Sequence, residues 1–194
     1  MKINLPLACL FAFTMPAAGE DDRGLAVLPV PFERGSRTPP AVSIYYNPNY
    51  AAVGSKLTAA VVVCIWPDGR AVWSRDHIQG GPPYFTGHIA RKSLAIFFHA
   101  LDAKGIFAHR YRYGGGSDAP EHDINIIDGR RRVGLVDMAF DYRGRTPLLE
   151  IDDAYAFLLN RIEQLLPRRG RQLRTFDYET RMGYDGRKWT KSIF

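Results

Sequence analysis

The chain has 194 residues, 46% of them hydrophobic and 24% charged, with a formal net charge of +6. These values exclude a largely disordered polypeptide and suffice for one domain with a sizeable core. The charge is unevenly placed: residues 20–166 hold 17 basic and 17 acidic side chains, whereas residues 167–194 hold eight basic and three acidic ones.

Residues 1–19 have the three-part pattern of a secretory signal. Lys2 is followed by an apolar run over 5–13, then Met15-Pro16, then Ala17-Ala18-Gly19 ahead of acidic Glu20-Asp21-Asp22. The run is shorter than the roughly 20 apolar residues that span a bilayer, so we expect cleavage after Gly19 and no transmembrane segment thereafter. Cleavage removes Cys9 and leaves Cys64 alone, which excludes an internal disulfide. Export without disulfides points to a periplasmic or secreted bacterial protein.

Residues 20–57 contain Pro29, Pro31, Pro39, Pro40 and Pro48 with Gly24, Gly35 and Gly54, and read as a proline-containing N-terminal arm with a short strand over 42–46. The β-branched run over 58–66 predicts a strand buried on both faces, with Cys64 as a packing residue. Asp68-Gly69 predicts a tight turn, and 71–74 returns as its partner, bringing Trp66 near Trp73. Gly80-Gly81-Pro82-Pro83 reads as a loop that presents Tyr84 and Phe85 as a rigid aromatic lip. Leu94, Phe97, Phe98 and Leu101 form one stripe of a helix over 89–104, stopped by Gly105.

After a loop at Ser117-Asp118-Ala119-Pro120, strands over 123–127 and 132–140 flank a second Asp-Gly turn at Asp128-Gly129. Thr146 and Pro147 suit a helix start. Leu148, Ile151, Tyr155, Leu158, Ile162 and Leu165 make the stripe of a second helix, with Asp152 and Asp153 near its positive end and Pro167 as its stop. A last hairpin turns at Tyr184-Asp185-Gly186-Arg187. Hairpins and helices in this order predict an α+β fold: a two-layer sandwich, mainly an antiparallel sheet of hairpins, with two amphipathic helices packed on one face. No glycine fingerprint supports a dinucleotide-binding sheet. The expected organisation is a signal peptide at 1–19, the arm at 20–57, and one α+β domain at 58–194 ending in the basic segment 167–194.

The segments 60–70, 87–107, 117–136 and 151–166 carry a recurring pattern of turns and caps: Asp68-Gly69, Gly87-His88-Ile89, Gly105-Ile106-Phe107 and Asp118-Ala119-Pro120. In this the chain resembles a family of small bacterial exported α+β domains of unknown function. The resemblance covers roughly half the chain and implies export and fold; it assigns no catalytic residue.

Three sets of residues are candidates for function. Asp118, Glu121, His122 and Asp123 carry the carboxylates and imidazole of a metal site, although their spacing matches no standard metal-binding motif. Arg168, Arg169, Arg171, Arg174 and Arg181, with Trp189 and Tyr84, supply cations and aromatic faces for an anionic ligand. Such a mixture also suits nucleic acid, but export argues against that partner and favours an anionic envelope component or a partner protein. His77 beside Asp76, or His122 within 118–123, offers the base and acid of a small hydrolase, with Ser74 or Ser117 as nucleophile; no Gly-x-Ser-x-Gly elbow accompanies them. The sequence thus favours an exported, non-catalytic binding or envelope-associated protein, with a hydrolase as the alternative and no cofactor.

Overall fold

The computed structural model describes residues 30–48, 60–108, 121–129, 131–138, 149–184 and 189–191. Strands β1 (Val30–Glu33) and β2 (Val42–Asn47) precede the hairpin β3 (Ala60–Ile65) and β4 (Arg70–Ser74) and then β5 (Tyr84–His88). Helix α1 (Arg91–Ala103) leads through one turn of 3-10 helix to the hairpin β6 (Glu121–Asp128) and β7 (Arg131–Met138). Helix α2 (Leu149–Leu165) precedes β8 (Arg171–Gln172), β9 (Tyr178–Tyr184) and β10 (Trp189–Lys191). Seven strands form an antiparallel sheet in the order β7-β6-β2-β3-β4-β5-β8, and three form a small antiparallel sheet in the order β1-β9-β10.

The β-branched run 60–65 makes β3 a central strand, as expected of side chains that fit a pleated, doubly covered surface. The turn that follows works through Asp68, whose Oδ1 accepts the Arg70 amide at 3.0 Å, and through Gly69, whose φ of 93° lies in the left-handed region. A Cβ at Gly69 would stand 2.2 Å from the Ile89 carbonyl oxygen. That close approach is tied by the Ile89 amide, which donates to the Gly69 carbonyl at 2.7 Å. Ile89 is thereby held out of α1, which begins at Arg91 rather than at the predicted 89.

Period-2 alternation sorts the large sheet into two faces. Val42, Ile44, Val63, Ile65, Ala71, Trp73, Ile124, Ile126, Val133 and Leu135 pack with Leu94, Phe97 and Leu101 of α1 and Ala154, Leu158 and Ile162 of α2. This is the predicted α+β sandwich, with both amphipathic helices on one face. Tyr45, Val61, Cys64, Trp66, Val72 and Tyr84 form the opposite face, where Leu173, Phe176 and Tyr178 cover them. Between Ile44 and Tyr45 the register slips by one residue, so Val62 bulges and joins Val63 on the helix side.

Several expectations are corrected here. The stretch read as an arm contains the short strand expected over 42–46 as β2, paired on both edges with β3 and β6. It also contributes β1, which pairs with β9 about 150 residues away. Trp66 and Trp73 lie on opposite faces, because Trp73 pairs with Val63 while Trp66 continues the face of Cys64. Tyr84 is no lip: it pairs with Ser74 inside the sheet and is 6% exposed. The signal segment, Ser117, Thr146, Pro147 and the turn at 185–188 lie outside the described residues. Among the described residues, no helix is long and apolar enough to cross a membrane.

Candidate functional site

The basic segment does not stand apart from the fold. Leaving α2 after Leu165, the chain passes Gly170 over Trp73 and pairs Arg171 with Thr86 and Gln172 with Phe85. The Leu173 amide then donates to the Tyr84 carbonyl at 2.9 Å. Phe176 closes the second face, its ring 5.4 Å from Tyr84 and 6.3 Å from Trp66, both edge-on. From Tyr178 the chain enters the small sheet.

This route encloses a groove of about 550 Å3. Its floor follows from strand alternation: Arg70 and Val72 of β4 and Thr86 of β5 share one face, and Arg171 of β8 lies opposite Thr86. Leu173, Thr175 and Phe176 form one wall, with Glu33, Arg34 and Asp177 at the end.

Of the three arginines among the described lining residues, two are ion-paired. Arg70 meets Glu33 with both nitrogens, at 2.6 and 3.2 Å, and its guanidinium lies 3.7 Å from the centre of the Trp66 ring. Arg34 donates its Nε to both oxygens of Asp177, at 2.8 and 2.9 Å, and its amide to the Asp177 carbonyl at 3.0 Å. Hydrogen bonding to Asp177 raises the Arg34 guanidinium above its ordinary value. Arg171 differs. Among the described residues it has no ion pair, so it is the one positive charge left uncompensated among the groove's described lining residues. The described residues that line it include no histidine, cysteine or lysine. The arrangement suits recognition of a carboxylate or phosphate group, with Thr175 as a neighbouring hydroxyl.

The other sequence candidates divide. Arg168, Arg169 and Arg174 are exposed and lie outside the groove lining. Arg181 is committed to the fold: it binds Glu179 at 2.5 Å, donates to the Ser36 carbonyl at 3.0 Å, and stacks 4.1 Å from the centre of the Phe32 ring. The Trp189 backbone pairs with Tyr184, and its side chain falls outside what is described. Sequence reading missed Arg34, Arg70, Thr86, Thr175, Glu33 and Asp177. The signal for Arg70 was present as alternation around the Asp68-Gly69 turn; Thr86 sits on β5, a strand the sequence reading did not expect, and Glu33 and Asp177 depend on a pairing too distant to read.

The proposed metal ligands separate. His122 and Asp123 are consecutive on β6 and therefore face opposite sides of the sheet: His122 pairs with Tyr46 and Asp123 with Tyr45. Asp118 and the Glu121 side chain lie outside the described residues. Among the described residues, no three histidine, cysteine or carboxylate side chains converge as metal ligands.

His122 instead lines a second cavity, of about 170 Å3, between the β3 bulge and α2. His77, Ile78, Tyr155 and Glu163 also line it. His122 Nε2 lies 2.5 Å from the Ile78 carbonyl, which only accepts, so the proton sits on Nε2. The turn bearing His77 and Ile78 is fixed by Asp76, whose Oδ1 accepts the amides of Ile78 and Gln79 at 2.9 Å each. Those hydrogen bonds, Gln79 first, hold the Asp76 carboxyl below its usual value. Ser74 is buried and occupied, donating to the Gly81 carbonyl at 2.5 Å and accepting the Asp76 amide at 3.0 Å. It therefore braces the turn rather than serving the histidines as a nucleophile.

No family model matches the chain, and neither curated proteins nor solved structures give a match.

Proposed function

We propose that the protein is an exported, non-catalytic binding module that takes an anionic group of an envelope polymer or an acidic partner in the groove beside β8. The observation that carries this reading is Arg171, a cation without an ion pair among the described residues, in a groove where Arg34 and Arg70 are paired with carboxylates. Orientation comes from the paired arginines, which keep the walls in place, and specificity from the planar fork of one guanidinium. Export is supported by the leader-like pattern of residues 1–19.

The test is binding of fluorescent oligoglutamate and oligophosphate to the full chain and to Arg171→Gln. Binding that weakens about tenfold in the variant, and falls with added salt, is expected of one solvent-exposed charge contact. Unchanged affinity in a folded Arg171→Gln protein would refute the reading.

A further inference from the structure

We propose that the cavity between the β3 bulge and α2 is a second ligand site, selective for a small cationic amine with an apolar body. It is independent of the groove, since it lies on the helix side of the sheet and shares none of its lining residues.

Size sets the class of ligand. An apolar cavity of about 150 Å3 accommodates benzene, and this one is about 170 Å3. Most of its wall is aliphatic, from Ile44, Val62, Val63, Leu159 and Ile162. The bulge creates that wall by turning Val62 as well as Val63 toward α2. Its lip is Ile78, a large apolar side chain left 69% exposed on a turn pinned from both ends. A ligand seated at the mouth would bury part of that side chain.

Polarity sets the charge. Because Nε2 of His122 donates to the Ile78 carbonyl, Nδ1 is the ring nitrogen left to meet a ligand. Among the described residues Nδ1 has no hydrogen-bond partner. Glu163 adds a carboxylate at the rim, and no lysine or arginine is among the described lining residues. The rings of His122 and Tyr155, with centroids 6.2 Å apart, both line the cavity. A carboxylate beside two aromatic rings favours an ammonium group and disfavours an anion.

NMR titration of the full chain with 2-phenylethylamine and with 3-phenylpropionate distinguishes the two charges on one apolar body. Saturable shifts at Ile44, Ile78 and Tyr155 are expected, with the amine bound about tenfold more tightly. Glu163→Gln, at an exposed position, should erase that preference, and Ile78→Ala should weaken both probes while leaving thermal unfolding in place. Equal affinities, a preference that persists in Glu163→Gln, shifts that saturate elsewhere, or no saturation by about 10 mM would each overturn the proposal.

Discussion

Gly170 crosses the indole of Trp73 so closely that a Cβ at position 170 would lie 2.5 Å from Cζ2 and 2.6 Å from Cη2. This contact lets the basic segment turn from α2 into β8 without lifting off the sheet. Trp73 is buried among the helix-side residues and stacks on Phe85, with ring centroids 6.3 Å apart, so it has little room to yield. Gly170→Ala should therefore destabilise the protein by about 1–3 kcal/mol, the usual cost of overpacking. Urea unfolding measures it; Gly35→Ala is not an equivalent comparison, because its strain comes from a φ of 80° rather than from contact.

Phe176 performs the complementary task on the other face. Its ring lies 5.4 Å from both Tyr84 and Tyr178 and covers Trp66. Phe176→Ala should cost about 2–4 kcal/mol, somewhat less than a wholly buried phenylalanine, while Arg168→Ala should remain within about 0.5 kcal/mol. Removing residues 167–194 would strip β8, β9 and β10 together, so loss of cooperative unfolding is expected. A stable, cooperatively folding fragment would show that the segment is dispensable.

Cys64 is 1% exposed between β2 and β4. Burial raises its thiol above the ordinary value, which suppresses the reactive thiolate. Native protein at pH 8 should leave Cys64 unlabelled by a thiol reagent, with labelling appearing in urea. Peptide mapping separates it from Cys9. Rapid native labelling of Cys64 would contradict its placement.

Asp76 gives a pH dependence of defined sign. Its folded carboxyl titrates below the unfolded value, so the ionised form stabilises the 77–79 turn. That contribution is complete above about pH 3.9 and is lost as pH falls through the lower folded value. Carboxyl NMR should place the Asp76 midpoint below about 3.9, with amide exchange at Ile78 and Gln79 accelerating as the group protonates. A midpoint at or above the unfolded value would remove the turn from the account.

Local physics made much of the large sheet readable. The density of β-branched residues over 60–65, the two Asp-Gly turns and the stripe Leu94, Phe97 and Leu101 each specify an element from its own residues. The same kind of evidence cannot reveal β1 pairing with β9, because no periodicity links Val30 to Arg181. A strand of two residues, Arg171–Gln172, has no period at all. The late arginines were therefore visible as a charge excess but not as individuals. Only the fold separates Arg181, bound to Glu179 and Phe32, from Arg171, which faces an open groove. His122 and Asp123 looked like one cluster for a similar reason: adjacency in sequence becomes opposition across a strand.

The central claim rests on Arg171, and titrating the isotopically labelled full chain with oligophosphate or oligoglutamate tests it most directly. Saturable perturbations concentrated at Thr86, Arg171, Leu173 and Thr175, with saturation moved to about tenfold higher ligand concentration in Arg171→Gln, are the expected result. Binding that maps instead to the exposed Arg168 and Arg169, or that survives intact in the variant, would contradict the account.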